Sequence, residues 1–352
     1  MTILAFFIIL IVLILAHELG HFVTAKMSGV KVEEFGIFLP PRIYGKKIGE
    51  TIYSINAIPL GGFNRLSGEE DPKAERSLSG KSKPIRLLVL GAGSLMNLIL
   101  PLLLLVIAFT LPHQVEVPNP DTDPGQVLVV SVSDGSPAKL AGIQPGDILL
   151  KINGVEISTA SQCQQEINAN LGKETTITID RGNVPFEVNL IPRTQPVPGQ
   201  GPIGVGLTVV KLESTPFWQA IPQGAARYWN ILVLFVNGIR ETVQGTVPFD
   251  VTGPVGIAQV VGEVAKTGMS NLLQLAAIIS INLGIVNIFP IPGLDGGRVA
   301  FVLLEWVRRG KRVSPQTERL VHGIGFLLLM ALIILVTYHD IMRIIHGQSP
   351  LG

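Results

Sequence analysis

The five residues His17-Glu18-Leu19-Gly20-His21 carry the clearest chemistry in this chain. Imidazoles four positions apart share one face of a helix, so both rings can aim a nitrogen at the same cation. The carboxylate next to the first of them can then face a water bound to that cation, which is the arrangement of the H-E-x-x-H zinc motif. In an ordinary soluble helix the same pentapeptide would be a solvated polar turn. Here it ends an unbroken apolar run from Ile3 to Ala16, and a charged group at the middle of a membrane helix costs roughly 2.5–3.5 kcal/mol. His17, Glu18 and His21 must therefore face protein, metal or a water-filled cavity, and bound Zn2+ is the expectation. The chain has one cysteine, Cys163, which excludes a cysteine zinc site and leaves His and carboxylate as the ligands.

A third ligand is offered far along the chain, in Asn287-Ile288-Phe289-Pro290-Ile291-Pro292-Gly293-Leu294-Asp295-Gly296-Gly297. Prolines and glycines at the end of an apolar segment break its helix, and freed backbone at membrane depth is tolerated only beside protein or water. Asp295 in that break could simply cap the helix that follows. As a carboxylate within reach of two histidines it is expected to be the third zinc ligand, which leaves one coordination position for water.

The elements that must position these residues are membrane helices. Of the 352 residues 47% are apolar and only 15% charged, and a net charge of +1 gives no sign of a nucleic-acid partner. Four segments are long and apolar enough to span a bilayer: 3–27, 87–111, 272–289 and 321–338. The first lacks a basic stretch ahead of it and runs straight into His17, so it reads as a retained helix. The linkers 28–86 and 290–320 are rich in Lys and Arg, which by the positive-inside rule puts both in the cytoplasm and both termini outside. The motif then lies toward the cytoplasmic side. The apolar patch 229–239 is too short to span, and 217–244 with Trp218, Tyr228 and Trp229 is expected to lie in the outer interface.

Within the first cytoplasmic linker, 51–58 alternates like a strand and 59–63 reads as a sharp turn. It is either a surface hairpin or a strand edge able to pair with an extended peptide. Gly91, Gly93 and Asn97 of the second span read as packing positions for a neighbouring helix. From 112 to 213 the composition becomes that of a soluble domain with short strands and two helices. The resulting organisation is a membrane half at 1–111, an extracytoplasmic domain at 112–213, a surface region at 214–265 and a second membrane half at 266–352.

The inserted segment resembles a bacterial PDZ domain through Ser136-Pro137-Ala138, Ala141-Gly142-Ile143, Pro145-Gly146-Asp147-Ile148 and Ile152-Asn153-Gly154. In a permuted domain of that kind the ligand-binding strand comes last; 202–207 is then either its glycine-bearing loop or a plain linker. Together with the H-E-x-x-H motif and Asn287-xx-Pro290-x-Pro292-x-Leu294-Asp295-Gly296, this makes the chain resemble the site-2 protease family of intramembrane zinc metalloproteases. It is similar in particular to the bacterial regulator of sigma-E protease type, with one PDZ domain where that type has two. The resemblance implies an α-helical polytopic membrane protein of four spans, with a membrane-associated β-hairpin and an inserted α+β PDZ domain, in the bacterial inner membrane. It implies that His17, His21 and Asp295 hold zinc and that Glu18 is the general base. It also implies that Asn287 and the hairpin residues Gly61, Gly62 and Phe63 meet the substrate, a single-span membrane protein whose segment is cut within the lipid bilayer. The PDZ domain would take peptide C-termini. A PDZ scaffold with structural zinc would have no use for Glu18, and a zinc transporter would need further intramembrane ligands along a pathway.

Overall fold

The computed structural model describes all residues except 1, 70, 72, 183, 198, 247–251 and 347–352, so part of the predicted surface region 214–265 and the end of the C-terminal segment lie outside the described residues. The chain begins with α1 (Thr2–Met27), β1 (Val32–Ile48), β2 (Thr51–Leu66) and α2 (Lys83–Thr110). An inserted run follows: β3 (His113–Glu116), β4 (Gln126–Val132), α3 (Pro137–Leu140), β5 (Ile148–Ile152), β6 (Val155–Glu156), α4 (Ala160–Ala169), β7 (Thr175–Asp180), β8 (Pro185–Leu190) and β9 (Val205–Glu213). Five helices complete it: α5 (Phe217–Val243), α6 (Pro254–Val264), α7 (Met269–Ile288), α8 (Asp295–Val307) and α9 (Pro315–Ile345). These residues form two compact units, one of Met1–Ala108, Phe217–Ala265 and Asn271–Gly352, the other of Phe109–Pro216 and Lys266–Ser270.

In the first unit, α1, α2, α7 and α9 have the length and apolarity to cross a membrane, as the sequence led us to expect. Their lipid-type surface is most evident on α9, where Leu327, Leu328 and Leu335 are exposed and among its residues only Gly325 and Asp340 are buried. Leu13 of α1, Leu104 and Leu105 of α2, and Ala276, Ala277 and Ile281 of α7 close one cluster, and Ile231 of α5 joins it. The predicted patch 229–239 is thus the middle of one continuous helix, and part of that helix packs on the spans. Buried Asp340 accepts hydrogen bonds from the backbone N–H groups of Gly253 and Gly256 (3.3 and 2.7 Å), satisfying donors at the start of α6 that nothing else in an apolar setting would meet.

Strands β1 and β2 both fold back on themselves. Phe35 lies opposite both Asn64 and Tyr53, and Gly36 opposite both Phe63 and Ser54, so 34–37 is flanked by 62–65 and by 52–55. The stretch 42–48 pairs in turn with 51–56, which leaves 62–66 as one outer edge of the sheet. The sharp turn expected at 59–63 is where β2 reverses, since 52–55 runs parallel to 34–37 and 62–65 antiparallel to it, and Gly61 takes φ +132° in the bend. Glu34 is buried at the centre of this sheet and pairs with Arg42 and Arg65. Burial pushes its carboxyl upward, but the Ser54 hydroxyl and the two guanidiniums outweigh burial and hold it below the ordinary glutamate range.

The second unit is a seven-stranded sheet in the order β3-β9-β4-β5-β7-β8, with β6 paired to β5. Its core includes Val127, Val129, Ile143, Leu149, Ile152, Ile177, Ile179 and Val209. The Pro145-Gly146-Asp147 motif has a structural role here. Buried Asp147 accepts from Arg181 through Nε and Nη2 (2.6 and 2.7 Å) and from the Gln144 N–H (2.8 Å). The late strand β9 lies between β3 and β4, and its entry loop borders a groove of about 230 Å³ lined by Cys163, Gln164 and Ile167 of α4 and by Ile203, Gly204 and Leu207.

Candidate metal centre

A 26-residue α1 turns His17 and His21 to the same side, one turn apart, with ring centroids 4.9 Å from each other. Asp295 is the first residue of α8, where a carboxylate also suits the positive end of the helix dipole. The loop ahead of it is tied to α9, because the Gly293 N–H donates to His322 Nδ1 at 3.0 Å. A buried pair between Arg86 of α2 and Glu305 of α8 joins α8 to the second span, and Arg312 adds to it.

These elements bring the three side chains together. His17 Nε2 and His21 Nε2 are 3.3 Å apart, and Asp295 Oδ2 lies 3.0 and 3.1 Å from them. One donor atom from each falls within 4.8 Å of the others. Zinc with tetrahedral bonds of 2.0–2.1 Å would set its ligand atoms about 3.3 Å apart, so the spacing suits that ion. The tautomer suits it as well. His21 Nδ1 can only donate to the Val89 carbonyl, 2.8 Å away, which leaves the Nε2 lone pair facing the other two donors.

Gly93 of α2 forms the wall of this centre. A Cβ there would stand 2.3 Å from His21 Nε2 and 2.6 Å from His17 Nε2, so the missing side chain leaves the space into which both lone pairs point. The Asn97 carboxamide, one turn on, lies 3.4 Å from His17 Nδ1, and its Oδ1 is buried without a partner. A half-turn of the amide presents that oxygen to Nδ1–H, completing for His17 what Val89 does for His21.

Glu18 lies between this centre and the β2 edge, in a cavity of about 200 Å³ lined also by Gly62, Phe63, Asn64, Glu69, Gly293 and Arg298. Arg298 and Glu69 form an ion pair across the cavity wall at 3.1 Å. Of the predicted site residues, His17, Glu18, His21, Asp295, Gly62 and Phe63 thus meet here. Gly61 is not in that lining, and neither is Asn287, which is half-buried in the last turn of α7. Sequence reasoning did not single out Asn64 or Arg298 for the site, and read Gly93 and Asn97 as packing alone. The available signal was a glycine and an asparagine one turn apart in an otherwise apolar span.

A bundle of membrane-spanning helices that closes around two imidazoles and two carboxylates defines a membrane-embedded metallohydrolase. Residues 5–332 match the model of Peptidase family M50. A Clostridium perfringens (strain 13 / Type A) relative is 35% identical over 336 residues, covering 94% of this chain and 95% of its own. The zinc metalloprotease RasP of Geobacillus kaustophilus is 29% identical, with 97% of this chain and 98% of that protein covered. The regulator of sigma-W protease RasP of Bacillus subtilis is also 29% identical, with 97% and 99% covered. The chain belongs to Peptidase family M50 and is an intramembrane zinc metalloprotease.

Proposed function

We propose that His17, His21 and Asp295 hold the zinc, that Glu18 is the general base, and that the enzyme cuts membrane-spanning segments of single-span proteins in regulated intramembrane proteolysis. The observation that carries this is the convergence of three donor atoms at 3.0–3.3 Å with Glu18 in the same cavity. When bound, zinc polarises the scissile carbonyl and makes a water nucleophilic near neutral pH. Glu18 takes the proton of the attacking water and passes it to the leaving amine. A helical substrate hides its peptide bonds in its own hydrogen bonds and must unwind before it can react. The outer stretch 62–66, with Gly61, Gly62 and Phe63 at its start, offers unpaired backbone beside Glu18 on which an unwound segment can lie as an added strand. Asn287 would help hold that segment.

The basic linkers support a topology with the sheet and the metal centre toward the cytoplasm and both termini outside, in a bacterial inner membrane. The unit 109–216 would be an extracytoplasmic PDZ domain, taking peptide C-termini in the groove between α4 and the β9 entry loop and so selecting among substrates. Anti-sigma factors fit the substrate class, given the name of the Bacillus subtilis relative.

The test is reconstitution in liposomes with a single-span substrate. Glu18→Gln should keep one zinc per chain and lose cleavage, because an amide cannot accept the proton. Asp295→Ala should lose the zinc. Wild-type zinc in Asp295→Ala, or near wild-type cleavage by Glu18→Gln, would overturn the assignment.

A further inference from the structure

Glu18 has one side-chain hydrogen-bond partner among the described residues, and it comes from the sheet. Asn64 Nδ2 uses both its hydrogens on this residue, donating to Oε2 of the carboxylate and to the backbone carbonyl of Glu18, each at 2.7 Å. Asn64 lies on the outer stretch of β2, opposite Phe35, and its own Oδ1 is buried without a partner. The contact is close because Gly62, two residues earlier on the same edge, has no side chain. A Cβ there would fall 2.8 Å from Glu18 Cγ and 3.2 Å from the Gly36 carbonyl.

A glutamate has three side-chain torsions, and a free one on a helix would swing among several rotamers. Gripping one carboxylate oxygen and the carbonyl of the same residue with a single planar amide removes that freedom. It also assigns the two oxygens different tasks: Oε2 is held by Asn64, and Oε1 is left to take the proton of water. We propose that Asn64 is a positioning residue for Glu18, and that through it the base is fixed to the strand on which the substrate would lie. The proposal rests on Glu18 being the base. Its consequence is that the sheet, the substrate segment and the base move as one piece, so a bond presented at the edge arrives in register with the group that must act on it.

Two variants, read together, separate this from plain packing. Asn64→Ala removes the amide and leaves the metal ligands untouched. It should keep one zinc per chain and a wild-type melting temperature, leave KM for a single-span substrate near wild type, and lower kcat about 10–100-fold, the range seen for lost supporting hydrogen bonds in metal sites. Asn64→Asp has the size of asparagine but no donor, and sets one carboxylate against another. If donation is what matters, Asp should be slower than Ala; if Asn64 only fills space, the isosteric Asp should be the milder change. Wild-type kcat in Asn64→Ala, loss of zinc in step with activity, or an Asp variant faster than Ala would each overturn the proposal. Should Asn64→Ala fail to fold, the Asp variant compared with Asn64→Ser, which restores a donor hydroxyl, decides on the same ordering. Glu18→Gln is the independent control: if it still cleaves, the base assignment has failed and not the role of Asn64.

Discussion

Replacing Gly93 by alanine tests the centre without touching any ligand. The added methyl would stand 2.3 Å from His21 Nε2 and 2.6 Å from His17 Nε2, whereas ordinary contact begins at 3.4 Å. The rings must therefore retreat by about 0.8–1.1 Å, against the roughly 0.2 Å of error a metal–ligand distance tolerates. Two of three protein ligands are affected at once, so zinc affinity should fall by at least about 100-fold, the upper end for changes one step removed from the ligands. The helix itself should gain slightly from the substitution, since glycine inside a helix costs roughly 0.5–1 kcal/mol relative to alanine. Gly91→Ala is the matched control, because a Cβ at Gly91 meets nothing within 4 Å. The assay is metal content of detergent-purified protein by mass spectrometry, with Co2+ absorption as a report on geometry. A Gly93→Ala protein that holds stoichiometric zinc and cleaves at the wild-type rate would refute the claim that these two Nε2 atoms face a shared ion.

Asn97→Leu keeps the branched shape but removes the acceptor for His17 Nδ1–H, and should weaken zinc binding by about 10–100-fold in competition with a chelator. Arg86→Met leaves Glu305 buried with only Arg312 for company, and should cost about 3 kcal/mol in thermal unfolding, with α8 the first element to loosen. Because burial pushes the Cys163 thiol up to about 12, native protein at pH 8 should resist maleimide and react only when unfolded. Glu34 has its carboxyl lowered in the folded sheet. The stability it contributes is complete above the ordinary glutamate value and is lost as pH falls through the lower folded value, so hydrogen exchange in 32–66 should rise toward acid pH earlier than in α2, and Glu34→Gln should abolish that dependence.

The convergence of His17 and His21 was legible because a helix converts a spacing of four into one face, and because a charged motif at the end of fourteen apolar residues has few places to go. The spans were legible from length and apolarity, and the first at both ends, but the bounds of the fourth were not. The fourth starts at Pro315 and not at 321, since Ser314 caps it and the helix runs on through polar turns. The turn near Gly61 was legible from Pro59, Gly61 and Gly62, but the pairing of 62–66 was not, because its partner 32–37 lies some thirty residues back. Asn64, Gly93 and Asn97 were opaque for the same reason. Each acts on α1 from another element, and nothing in their immediate neighbours says which helix or strand will stand opposite.

His21 and Asp295 meet although 274 positions separate them in the chain. Ribosomes add about 5–20 residues each second, so roughly 14–55 s pass between synthesis of the first ligand and of the last. During that interval α1 and its Glu18 can already be in the bilayer among other nascent membrane helices, any of which would be chemically suitable to cut. On the proposed ligand set, the newborn chain holds His17 and His21 but lacks Asp295, so the metal site is incomplete and cleavage must wait until α7 and α8 have followed. On that assignment the order in which its parts are made keeps the protease inert through its own biogenesis.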